Sequence, residues 1–121
     1  MKITVLVDNN TYIDRYYLAE PAVAYFIEDG EMRLLFDTGY SDVFLRNAHT
    51  LYIDLKNMTY LVFSHGHNDH TGGLKYLTSA LNCQNINLIA HPDCFAPKYD
   101  DNGNYIGSPF TEAEISDIFH F

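Results

Sequence analysis

The chain has no tryptophan, two cysteines, four prolines and only seven lysines and arginines in 121 residues. Each shortage excludes something. Two cysteines, Cys83 and Cys94, cannot build a disulfide framework, and neither belongs to a Cys-x-x-Cys pair. They read as reduced thiols of a cytoplasmic protein. Seven basic residues stand against sixteen acidic ones, a formal charge of −9. Nucleic acid and anionic membranes both need clustered Lys and Arg, so neither is expected as a partner. The commoner source of such acidity is a solvated surface. No apolar run approaches the roughly 18 residues of a membrane span. The apolar start, Met1 to Val7, is too short and too β-branched for a signal peptide.

What is present is enough for a core. Hydrophobic residues make up 47% and aromatics 15%, with ten Tyr and eight Phe supplying the bulk. That composition excludes a disordered chain. The length fits one domain or part of one, residues 1 to 121.

Short apolar runs alternate with helical patterns. Ile3 to Val7 reads as a buried strand, and residues 8–22 as a tyrosine-bearing loop. Val23 to Ile27 and Met32 to Phe36 are joined by Glu28-Asp29-Gly30-Glu31, a strong hairpin signal. Ser41 is placed to cap a helix running through Ala48. Asp54 to Met58 reads as one helical turn. Thr59 to Ser64 is a strand apolar at consecutive positions, as one covered on both faces would be. Thr71 to Leu81 has Leu74, Leu77 and Leu81 at helical spacing. Gly72 and Gly73 in its first turn imply close backbone passage near a site or tight helix–sheet packing. Ile86 to Ala90 is a further strand, ending at His91-Pro92. Thr111-x-x-Glu114 matches a capping box that opens a helix to about Phe119.

The stretch His65-Gly66-His67-Asn68-Asp69-His70 puts three imidazoles and one carboxylate within six residues. On extended backbone, residues two apart point to one side. His65, His67 and Asp69 are therefore expected to project together, with His70 one step on, where the chain turns into a helix. These ligand types suit zinc, one ion or two, and manganese or iron also accept them. Such an ion acidifies water and polarises a carbonyl or phosphoryl oxygen. Asp69 has the chemistry to orient that water or take its proton, which makes it the catalytic candidate. The plainer alternative is a polar surface loop rich in histidine.

Asp37, at the end of a strand, either holds a histidine tautomer or the loop, or is a turn residue. His91 also follows a strand and can reach a site at the carboxyl ends, touching substrate or metal; otherwise it is a turn residue before proline. Asp8 and Asn10 are candidates for the mouth of the site. His49 and His120 read as surface histidines.

Ser64-His65-Gly66-His67-Asn68-Asp69-His70-Thr71-Gly72-Gly73-Leu74 resembles the signature of the metallo-β-lactamase superfamily. Leu34-Leu35-Phe36-Asp37-Thr38-Gly39 resembles that family's strand ending in an Asp-Thr-Gly turn. Leu6-Val7-Asp8-Asn9-Asn10 and the spacing onward are similar to one branch of it. That branch is the metal-dependent hydrolases whose archaeal members are described as a dihydropterin-methyl-ribofuranosylaminobenzene-phosphate synthase. The resemblance implies an α/β fold: the N-terminal half of an αββα sandwich, a mixed sheet with helices on one face. It also implies a binuclear site, with His65 and His67 serving one metal and Asp69 and His70 the other. Members of the family are mostly hydrolases, here with metal-activated water acting on a small ester or phosphoester. A pterin-precursor synthase activity is the alternative within the branch.

In the full fold a second half supplies the remaining histidines and a bridging Asp, none of which this sequence contains. Three readings follow. The chain is part of a longer hydrolase; or two copies pair as a homodimer, each replacing the other's missing half; or it is a non-catalytic metal-binding half-domain that serves as an interaction module.

Overall fold

A computed structural model describes residues 1–12 and 15–121. Positions 13 and 14, in the stretch read above as a loop, lie outside the described residues. The β-branched start forms β1, Lys2–Val7. Strands β2, Ala24–Asp29, and β3, Met32–Phe36, make the expected hairpin, with Asp29 paired to Met32 and Gly30 at φ +58° in the turn. Helix α1, Val43–Thr50, leads to β4, Tyr60–Val62. Helices α2, Asn68–Thr71, and α3, Leu74–Ala80, lead to β5, Asn87–Ile89. A 3-10 turn over Pro92–Phe95 and helix α4, Glu112–Ile118, follow.

The sheet runs in the order β1-β2-β3-β4-β5. The first three strands are antiparallel, whereas β3, β4 and β5 are parallel. Parallel neighbours need crossovers, and the helical patterns after β3 and β4 supply them. The carboxyl ends of β3, β4 and β5 therefore fall on one edge, carrying Asp37, Ser64-His65 and His91. The fold is the mixed α/β sheet expected.

The register sorts the strand residues into two faces. Phe26, Leu35, Leu61 and Leu88 stand in one row across four strands and are buried. Phe44 and Ala48 of α1, Leu74 and Leu77 of α3, and Ile115 of α4 join them in one hydrophobic cluster. The opposite rows, Val5-Tyr25-Phe36-Val62-Ile89 and Ile3-Ile27-Leu34-Tyr60, are just as apolar but none of these residues is buried. Ile3, Val5 and Ile89 are each more than half exposed. The expectation that the β4 strand is covered on both faces is thus corrected: this chain covers one face. The contrast can be measured. Leu61→Ala should cost about 2–5 kcal/mol in urea unfolding, as fully buried leucines do. Val62→Ala, its neighbour on the open face, should cost less than about 1 kcal/mol.

Two local expectations shift and a third holds. Ser41 does not cap α1; Asp42 holds the cap position without a side-chain bond, because the Ser41 hydroxyl donates to Glu20. The helix expected over Thr71 to Leu81 is two, broken at Gly72 and Gly73. A Cβ on Gly72 would lie 2.3 Å from the Tyr40 carbonyl oxygen, and one on Gly73 2.3 Å from that of Thr38. The glycines therefore let backbone pass close beside the loop that carries Asp37. The 111–114 capping box forms as expected, with both reciprocal bonds.

Candidate metal centre

The apolar strand β4 ends at Val62, and Phe63 extends its ladder by donating to the Ile89 carbonyl. Ser64 and His65 then leave the sheet. Gly66 passes so near the 3-10 turn that a Cβ would lie 1.9 Å from the Cys94 carbonyl oxygen. His67 caps α2, whose first residue, Asn68, donates its N–H to the Ile106 carbonyl. Asp69 and His70 ride on that helical turn.

The backbone is extended at His67 and helical from Asn68 on, so the grouping differs from the expected one of His65, His67 and Asp69. The side chains that converge are His65, Asp69 and His70, each offering a ligand atom within 4.8 Å of the others'. His70 Nε2 faces Asp69 Oδ2 at 3.6 Å. His67 lies outside that three-residue group, but its ring stands edge-on to His65, centroids 4.9 Å apart. The His65 and His70 rings are closer, at 4.2 Å. The converging group of His65, Asp69 and His70 thus sits at the carboxyl ends of the parallel strands, with the His67 ring beside His65.

Asp37 lies beneath them and is fully buried. Its backbone N–H donates to Val62 O, and it adopts φ +57°, a left-handed conformation that Asp tolerates better than most residues. Its carboxylate accepts from Ser64 N–H at 2.9 Å, Ser64 Oγ at 2.7 Å and His70 Nδ1 at 2.7 Å. It thus bonds both a histidine and the loop while standing at a left-handed turn position. Thr38 grips the same segment: its N–H and its Oγ1 both donate to the His70 carbonyl. Glu20 braces the loop from outside by accepting from Tyr40 N–H and Ser41.

Burial, then the neighbouring His70 and His67, push the His65 pKa below its ordinary value. That shift favours the neutral imidazole, the form that binds metal. The donor set fits a borderline divalent ion: imidazoles, one of them fixed by a buried carboxylate, beside a half-exposed carboxylate.

The other candidates lie apart. His91 is exposed, and its Nδ1 accepts from Asp93 N–H, capping the 3-10 turn, so it is not one of the converging ligands. Asp8 and Asn10 line an open cavity of 690 Å³ beside β1, among whose lining residues the histidine loop does not figure. His49 and His120 are exposed, as expected. Cys83 and Cys94 are free, and burial raises each thiol pKa to about 11. Sequence reasoning gave no role to Ser64, Thr38 or Glu20. The first two carried a signal, since Ser64 directly precedes the histidines and Thr38 directly follows Asp37. Glu20 carried none.

Comparisons with known proteins bear on the family and the fold. The sequence model for the metallo-beta-lactamase superfamily matches residues 18–103. An uncharacterised protein of Methanocaldococcus jannaschii is 39% identical over 105 residues, covering 87% of this chain and 40% of its own. The 7,8-dihydropterin-6-methyl-4-(beta-D-ribofuranosyl)-aminobenzene-5'-phosphate synthase of the same archaeon is 32% identical over 100 residues, 78% of this chain and 34% of that one. Among solved structures, a metal-dependent hydrolase of the beta-lactamase superfamily superposes with a TM-score of 0.68 at 31% identity, over 88% of this chain and 36% of that one. A metallo-beta-lactamase from Cronobacter sakazakii shares the fold, with a TM-score of 0.56 at 21% identity, over 74% of this chain and 38% of its own. The chain thus spans well under half the length of each relative. With the family match covering most of its residues, and a His-Asp group at the carboxyl ends of a mixed sheet, the chain belongs to the metallo-beta-lactamase superfamily.

Proposed function

We propose that this chain carries half of the metal site of a hydrolase acting on a small ester or phosphoester. The observation that carries the reading is the convergence of His65, Asp69 and His70 above a buried carboxylate. His65, His67, Asp69 and His70 would hold one or two ions, zinc first, with manganese or iron as alternatives. A bound ion acidifies water and polarises the substrate oxygen. The residues of the chain do the rest. Asp37 and Thr38 hold His70 in place. Asp69, with its carboxylate partly open to solvent, is the group to orient the attacking water and accept its proton.

Catalytic zinc ordinarily takes three protein ligands and a water, so four residues shared between two ions leave each site short. The open sheet face offers a place for a second α/β half bearing the missing ligands. The greater length of the relatives leaves room for such a half in the same polypeptide; a homodimer, with a second copy of this chain, is the alternative. A cytoplasmic location fits the two free thiols.

Synthase chemistry on a phosphorylated pterin precursor is the second reading, favoured by the 32% identity to the archaeal synthase. A non-catalytic metal-binding interaction module is the third. The test is turnover of p-nitrophenyl esters and phosphodiesters by size-fractionated, zinc-, manganese- or iron-loaded protein. We expect chelator-sensitive turnover only in species larger than a monomer, and its loss in Asp69→Asn. Loaded fractions that bind metal but turn over neither substrate would overturn the hydrolase reading.

A further inference from the structure

Ser64 Oγ stands 2.7 Å from Asp37 Oδ2 and 2.9 Å from His65 Nδ1, with His70 Nδ1 farther off at 3.5 Å. A hydroxyl has one proton to give. The Asp37 carboxylate has none, and its Oδ2 already accepts from His70 Nδ1 at 2.7 Å. If Ser64 donated to His65, two oxygens would face each other at 2.7 Å with no proton between them. Ser64 must therefore donate to Asp37. An oxygen lone pair of the hydroxyl then faces His65 Nδ1, and that contact has a proton only if Nδ1 carries it. His70 Nδ1 must carry one for the same reason, because it faces the carboxylate directly. In both rings Nε2 is left as a bare lone pair.

We propose that Ser64 is a positioning residue that relays the Asp37 carboxylate to His65, so that one buried carboxylate sets the tautomer of two metal-ligating histidines. This rests on the reading of His65 and His70 as ligands in the preceding section. The relay presents Nε2 of each ring to the metal without a tautomer switch on binding. The side of His70 that faces Asp69 is its Nε2 side, as the proposal requires. The main-chain bond from Ser64 N–H to Asp37 Oδ1 is independent of the hydroxyl, so removing the hydroxyl leaves the loop anchored.

The test is long-range 15N–1H correlation spectroscopy of the imidazole side chains in metal-free protein, at a pH where the histidines are neutral. Wild type should show His65 and His70 both protonated at Nδ1. In Ser64→Ala, His65 should revert toward the Nε2–H form that a free side chain favours in water, while His70 stays Nδ1–H. Ser64→Thr keeps a hydroxyl and should restore the wild-type pattern at His65. Zinc affinity should fall roughly tenfold in Ser64→Ala, the lower end for loss of a ligand's supporting hydrogen bond. Nε2–H at His65 in wild type, or an unchanged His65 in Ser64→Ala, would overturn the proposal. Because the tautomers are read without metal, this result stands apart from whether the protein hydrolyses anything.

Discussion

Asparagine at position 37 should lower zinc affinity by about 10- to 100-fold while leaving the fold in place. The backbone favours this variant over others, because Asn accepts the left-handed φ of +57° found there. The hydrogen bonds do not favour it. The carboxylate accepts at both oxygens, from Ser64 N–H on one side and from Ser64 Oγ and His70 Nδ1 on the other. An amide has one oxygen and one NH2. With its NH2 toward Ser64 N–H, two donors collide. Turned the other way, the NH2 faces His70 Nδ1, which can accept only by moving its proton to Nε2, and that move blocks the ligand atom. Either outcome disturbs the site without removing a ligand. Zinc titration alongside near-ultraviolet circular dichroism checks it: native spectrum, weakened binding. An affinity within about twofold of wild type would mean that Asp37 is a turn residue after all.

Alanine at position 66 should be the most damaging single methyl group in the chain. Its Cβ would meet the Cys94 carbonyl oxygen at 1.9 Å and carbon at 2.8 Å. That carbonyl cannot easily give way. It belongs to the 3-10 turn, and Lys98 Nζ bonds it together with the carbonyls of Asp93 and Ala96. The chain has to move instead at the residue between His65 and His67. We expect a loss of about 1–3 kcal/mol in urea unfolding, the usual range for overpacking, and a loss of zinc binding with it. A variant as stable as wild type that still binds zinc would show that the turn and the loop are not locked together.

The elements that depend on neighbours in sequence were legible, and those that depend on distant partners were not. Asp29-Gly30 announced the hairpin, and Thr111 with Glu114 announced the last helix, because both signals are local. The cap expected at Ser41 failed because Glu20, twenty-one residues earlier, takes its hydroxyl. The break at Gly72 and Gly73 reflects the backbone of residues 38 to 40, which no helical period reports. At the site, the ligand types could be read directly from the motif. Their grouping could not, because α2 begins at Asn68, tied to Ile106. The support from Asp37 is the exception: it spans thirty-three residues, yet the place of Asp37 at a strand end already marked it as a candidate to hold a histidine.

The central claim is that the His65–His70 loop is a metal site whose ligands this chain arranges by itself. Competitive zinc titration against a chromophoric chelator tests it most directly, on wild type, His65→Ala, His70→Ala and the surface control His120→Ala. Wild type and His120→Ala should take up zinc with equal affinity, and each loop variant should bind about 100-fold more weakly. Equal uptake by all four proteins, or less than about a tenth of an equivalent in wild type, would contradict it.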